Sequence, residues 1–210
     1  LGIDTDFAPV ADVWSNAENQ VIGDRSFGTD PEKVAKMVAE AVRGFHDSQI
    51  RTAVKHFPGH GNTVEDSHRE FAYNYSTKEE LEKGEWKPFE AGIEEQSEFV
   101  MVGHICCPNI ISEETPASLS EELVTDILRN EMEFDGIIIT DAMDMGAVTA
   151  HYSCGEAAVR ALEAGADMIL MPEDFQEAYE AVLQAVRDGR ISEEQISESV
   201  SRILNCKKSR

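Results

Sequence analysis

The chain has 210 residues, 41% of them hydrophobic and 28% charged, a composition that belongs to a globular domain and not to a disordered segment. Eighteen Lys and Arg against 41 Asp and Glu give a net charge of −23, and a surface that acidic repels phosphate backbones and anionic headgroups, which argues against nucleic acid and membrane surfaces as partners. No apolar run approaches the roughly 18 residues of a membrane-spanning helix. No signal peptide is visible, and because the chain opens on Leu1 we expect an upstream segment to have been removed. The four cysteines, Cys106, Cys107, Cys154 and Cys206, show no CxxC spacing. They read as free thiols in a reducing place, a lean toward the cytoplasm that leaves the compartment open.

The predicted elements alternate. Residues 6–13 (DFAPVADV) form a short apolar strand. Residues 31–44 have apolar side chains at helical spacing, with Asp30 in the cap position before Pro31. Residues 51–57 (RTAVKHF) read as a strand. Thr77 followed by Glu80 opens a single helix to residue 95. Residues 99–105 (FVMVGHI) are a strand, 119–132 a helix with Ser120 as its cap, and 136–140 (GIIIT) an almost wholly apolar strand. A helix over 155–164 stops at Gly165, a strand covers 166–171, a helix over 175–188 stops at Gly189, and an amphipathic helix spans 192–205. Without a linker or low-complexity stretch, residues 1–210 read as one domain.

Continuously apolar strands between helices mean a parallel sheet covered on both faces. An open doubly wound sheet and a (β/α)8 barrel both satisfy that pattern. The polar residues favour the barrel. Lys55 and His56 end one strand, His104 a second and Asp141 a third, and a barrel brings the C-terminal ends of its strands to one site. A dinucleotide fold needs a GxGxxG turn, and none is present. The strands number five against the eight of a complete barrel, so the α/β fold class carries a further expectation. About three β/α units are absent, leaving residues 6–13 and 166–171 as open edges prone to self-association.

Three His, a Lys and an Asp crowd the stretch from Lys55 to His68. A metal site from His56, His60, Asp66 and His68 is one reading, although Pro58 and Gly59 forbid the helix that an HExxH pair requires. Asp66 and His68, two apart in a polar loop, also suit a carboxylate that orients an imidazole acid/base. Asp141, closing the GIIIT strand, is either a cap for the following turn or a fixed nucleophile or base.

KHFPGHG (55–61) with DSH (66–68), followed by DGIIITDAMDM (135–145), resembles the β-N-acetylhexosaminidase branch of glycoside hydrolase family 3. DFAPVADV, GDRSFGTDP and AGADMILMP extend the resemblance in order along nearly the whole chain. The β-glucosidase branch carries its acid/base Glu in a separate domain and lacks the DSH loop. The resemblance implies a retaining, exo-acting enzyme that removes terminal β-linked N-acetylhexosamine from a saccharide such as a peptidoglycan fragment, with no metal and no organic cofactor. It implies Asp141 as nucleophile, His68 as acid/base and Asp66 as its orienting partner. Arg25, Lys55 and His56 would bind sugar hydroxyls, and Met143 would line the sugar pocket. A phosphorylase of the same family and a non-catalytic sugar-binding fragment are the alternatives. The family's GGxIxF-type strand and DQEGG-like segment have no counterpart in the sequence.

Overall fold

The computed structural model describes residues 2–63, 71–111 and 114–208; Asp66 and His68 lie outside the described residues. In chain order the strands are β1 (Thr5–Asp6), β2 (Arg51–Phe57), β3 (Ala72–Tyr73), β4 (Phe99–Val102), β5 (Ile105–Cys106), β6 (Ile137–Ala142) and β7 (Met168–Leu170). The α-helices are α1 (Pro31–Asp47), α2 (Lys78–Lys83), α3 (Lys87–Glu94), α4 (Gly146–Thr149), α5 (Cys154–Glu163), α6 (Phe175–Arg187) and α7 (Glu193–Lys208), and a wider π-helix covers Glu122–Glu131.

Five strands form one parallel sheet in the order β1-β2-β4-β6-β7, with β3 and β5 paired beside it. Each strand lies beside the previous strand of the sheet, with helices in the connections, so the sheet curls as about five β/α units of a (β/α)8 barrel. Side chains alternate accordingly. Ala53, Phe99, Met101, Ile137 and Ile139 line the concave face, where Ile203 and Cys206 of α7 meet them. Val54, Phe57, Val100 and Ile138 point the other way, into the core beneath the helices.

Helix α1 shows how the sequence fixes an element. Asp30 accepts hydrogen bonds from the Glu32 and Lys33 amides, Pro31 occupies the first turn, and Val34, Val38 and Val42 are fully buried at a spacing of four. Each such valine contributes roughly 1.5 kcal/mol or more by leaving water. Three elements differ most from expectation. The helix expected from Thr77 to residue 95 keeps its capping box but divides at Gly84–Trp86. Pro88 has no amide hydrogen, and in a continuous helix its ring would meet the carbonyl of Gly84. The strand expected over 99–105 stops at Val102 and resumes as β5, which pairs with β3. The apolar run 6–13 is a regular strand only at Thr5–Asp6. Beyond it the chain still follows β2, through Ala53 N to Ala8 O at 2.9 Å and Ala11 N to Lys55 O at 2.6 Å, while Pro9 has no amide to donate.

Candidate active site

The C-terminal ends of β2, β4 and β6 converge on a polar patch. Its centre is Asp12, which has no exposed surface. The Asp12 carboxylate accepts the His60 amide at 2.7 Å, the His56 amide at 3.2 Å and His56 Nδ1 at 2.8 Å. Burial by itself would raise this carboxyl, but the charge and hydrogen bond of His56, joined by His60, outweigh burial and hold it below the usual carboxylate range. His60 is in turn pushed down by burial, with Asp12 opposing. Its Nδ1 lies 2.6 Å from Thr63 Oγ1, and its carbonyl accepts from Asn19 Nδ2 at 2.6 Å.

Two glycines let this loop lie against its neighbours. A Cβ on Gly61 would stand 1.7 Å from the Val13 carbonyl oxygen. At Gly59, where φ is +122°, a Cβ would stand 2.6 Å from Glu85 Oε2. Glu85 is buried and accepts from Asn74 Nδ2 at 2.7 Å and from Ser15 Oγ at 3.3 Å, while Asn74 Nδ2 also donates to Gly59 O at 3.2 Å. Burial pushes the Glu85 carboxyl up to about 7 despite those bonds. Glu85 and Asn74 thus clamp the turn after β2 to the segment after Asp12.

Lys55 is half-buried, and burial lowers its ammonium while the nearby charge of Asp141 opposes that; Arg25 adds to the lowering, and Asp12 and Asp6 oppose it. Asp141, near the end of β6, is partly exposed and accepts from the Ala142 amide through Oδ1 at 2.8 Å. Arg25 is exposed and donates to Val21 O at 2.7 Å through Nη2. Of the residues expected at the site, Asp141, Lys55, His56 and Arg25 therefore share one electrostatic neighbourhood. Met143 is buried and joins the core cluster under the helices. Among the described residues no group of three or more His, Cys, Asp and Glu is arranged to hold a metal ion, and Asp66 and His68 of the metal reading lie outside those residues. Sequence reasoning missed Asp12 and Glu85. The signal for Asp12 was available, since it follows an apolar run as Asp141 does; Glu85 sits in an ordinary charged helix pattern and gave none.

Residues 1–206 match the family model described as the glycosyl hydrolase family 3 N terminal domain. The chain belongs to glycosyl hydrolase family 3. Within that family it is 40% identical over 185 residues to a beta-hexosaminidase of Stenotrophomonas maltophilia (strain K279a), a match that covers 86% of this chain and 53% of that protein. Among solved structures, a family 3 beta-N-acetylglucosaminidase from Paenibacillus sp. str. FPU-7 superposes with a TM-score of 0.96 at 44% identity, covering 99% of this chain and 40% of that one. A beta-glucoside phosphorylase, BglX, superposes with a TM-score of 0.92 at 32% identity, covering 97% of this chain and 38% of that one. The chain spans about half the length of the curated relatives it matches.

Proposed function

We propose that residues 1–210 form part of a family 3 barrel domain and supply the nucleophile and sugar-binding side of a retaining β-N-acetylglucosaminidase. The observation that carries this reading is a carboxylate, Asp141, at the C-terminal end of an apolar strand and in the field of the half-buried Lys55. The similarity to beta-hexosaminidases and to a beta-N-acetylglucosaminidase supports an N-acetylglucosamine-containing saccharide as substrate.

In this reading an Asp141 oxygen attacks the anomeric carbon and the glycosidic carbon–oxygen bond breaks. The His68 imidazolium, paired with Asp66, gives its proton to the departing oxygen. Water then attacks the same carbon and loses a proton to His68, and the bond to Asp141 breaks, restoring both groups. Lys55 and Arg25 bring positive charge to the sugar hydroxyls. Asp12 takes the Nδ1–H of His56, which fixes the ring and leaves Nε2 for a hydroxyl. Met143, buried just after β6, is assigned to the lining of the sugar pocket by the family resemblance.

The test is trapping. In the protein at its natural length, a fluorinated N-acetylglucosaminide that stalls the glycosyl-enzyme labels Asp141, and Asp141→Ala abolishes both labelling and turnover. Label on Asp144 instead would refute the assignment. His68→Ala spares activated aryl glycosides, which need little protonation, and suppresses substrates with poor leaving groups. The likeness to a beta-glucoside phosphorylase favours one second reading, in which phosphate replaces water as the acceptor. Added phosphate then yields the sugar 1-phosphate in place of the free sugar.

A further inference from the structure

His104 has no exposed surface and follows the end of β4, outside the set of residues that face the sugar in the reading above. Its Nε2 lies 2.9 Å from the Ala142 carbonyl oxygen, and its Nδ1 lies 2.7 Å from Ser118 Oγ. A carbonyl oxygen only accepts, so Nε2 carries the hydrogen, and in the neutral ring Nδ1 accepts from the Ser118 hydroxyl. Ser118 sits on the short 3-10 turn Ala117–Leu119 and is itself fully buried.

The position of this contact matters. The β4–β6 ladder ends at the pair Val102 and Thr140, one residue before Asp141. On the other side of β6 the pairing with β7 is irregular between Ile139 and Ala142. Neither ladder holds Asp141 in regular register, although it is the residue whose position the chemistry needs. Ala142, next in the chain, is held from both ends: its amide donates to Asp141 Oδ1 at 2.8 Å, and its carbonyl accepts from His104. On the β7 side this peptide is still held, where Ala142 pairs with Leu170 and the Met143 amide donates to Leu170 O at 2.9 Å; on the β4 side, where the ladder has ended, the His104 imidazole takes its place. Two hydrogen bonds in series connect a buried turn to the residue that orients the carboxylate.

We propose that His104, backed by Ser118, is a positioning residue that sets the attack geometry of Asp141 through the Ala142 backbone. This rests on Asp141 being the nucleophile. A displacement of about 1 Å at a reacting group lowers a rate on the order of 100-fold, so the contact is large enough to measure. It acts on the nucleophile and not on sugar binding, so its loss appears in the glycosylation rate and leaves KM nearly unchanged.

The experiment uses the protein at its natural length and compares His104→Leu, His104→Gln and Ser118→Ala with the wild type, by turnover of an aryl N-acetylglucosaminide and by the kinetics and stoichiometry of the fluorinated trap. Gln can present an N–H near the place of Nε2; Leu cannot. His104→Leu is expected to lower kcat and the trapping rate constant by roughly 30- to 100-fold with KM within about threefold, while its final label per molecule matches the wild type. His104→Gln is expected to recover most of that loss, and Ser118→Ala to cost about three- to tenfold. Where His104→Leu fails to fold, Ser118→Ala and His104→Gln carry the comparison. Trapping rates in all variants within about twofold of the wild type would overturn the proposal, as would Gln and Leu being equally slow at full label. Absence of label on Asp141 in the wild type would overturn the nucleophile reading itself, a result separable from the variants' behaviour.

Discussion

Replacing Asp167 by Ala tests what fastens the C-terminal helix to the sheet. The Asp167 side chain has no exposed surface and sits just before β7, at the end of the sheet opposite Asp141. It accepts from Arg129 Nη2 at 2.7 Å, Arg202 Nη1 at 2.9 Å, Ser199 Oγ at 2.7 Å and the Ile138 amide at 2.9 Å. Breaking a buried pair by removing one partner costs about 3–5 kcal/mol, because the other charge remains buried without compensation. The Arg202 side chain is 29% exposed against 14% for Arg129, so Arg202 can turn to water and the ionic part falls near the lower figure, about 3 kcal/mol. The stranded Ser199 and Ile138 donors add about 1 kcal/mol each. A total near 5 kcal/mol lowers the melting midpoint by about 10–20 °C in a chain of this size. Thermal melts and urea titrations followed by circular dichroism measure it. Asp167→Asn keeps the shape, loses the charge and falls between. Hydrogen exchange in α7 accelerates first, since Ser199 and Arg202 are its ties to this carboxylate. A loss below about 1 kcal/mol for Asp167→Ala would refute the reasoning.

The Glu85 carboxyl ionises near 4.5 when unfolded and near 7 when buried in the fold. The unfolded chain therefore holds fewer protons between those values, and this group's stabilisation, complete below 4.5, declines by up to about 3 kcal/mol as pH rises through 7. Denaturant titrations at about pH 5 and about pH 8 should show that decline in the wild type and not in Glu85→Gln; an equal pH dependence in both would refute it. Gly61→Ala forces a Cβ to within 1.7 Å of the Val13 carbonyl, and it should cost at least about 1–3 kcal/mol in melting experiments. Gly44→Ala, on the exposed face of α1 with nothing within 4 Å of the new Cβ, should stabilise by about 0.8–1 kcal/mol.

What could be read from the sequence was what local chemistry dictates. Asp30 before Pro31, the Thr77 and Glu80 box, and the apolar runs of β2 and β6 each decide an element within a few residues. The gathering of Lys55, His56 and Asp141 followed from one further rule, that parallel barrel strands end on the same side. Features that depend on distant partners were not legible. Asp12 carried a local signal in the apolar run before it, but its partners His56 and His60 lie 44 and 48 positions away, and Glu85 is held by Ser15, 70 positions away. Nothing in EELEKGEWKPFE distinguishes the one buried Glu from its exposed neighbours. The role of His104 depends on where the β4–β6 ladder stops, which is a matter of register and not of residue type. The split of the Thr77 helix was legible and overlooked, because Pro88 stands openly in the pattern.

The order of the strands makes a last prediction about the 210-residue chain by itself. Strands β1 and β7 are the two edges of the sheet, as the first and last apolar runs led us to expect. Between them the concave face retains a cavity of about 270 Å³ lined by Phe7, Phe99, Ile137, Ile139, Met168 and Ile203 among others. Past β7, Met171, Phe175 and Tyr179 are more than half exposed, and the last two rings stack at 6.3 Å. Unpaired strand edges and exposed apolar side chains favour association. The net charge of −23 opposes it, because copies that approach must bring like charges together. Salt decides between the two. The screening length falls from about 30 Å at 10 mM to about 8 Å at physiological ionic strength, so repulsion fades while apolar contact does not. Sedimentation of the isolated chain should therefore show association growing with salt, and Phe175→Ser with Tyr179→Ser should weaken it. Association that falls with salt would mean charge pairing across the contact. A chain that stays monomeric at high salt and high concentration would mean that α7 and the helices already close what the sheet leaves open, and the edge argument would be wrong.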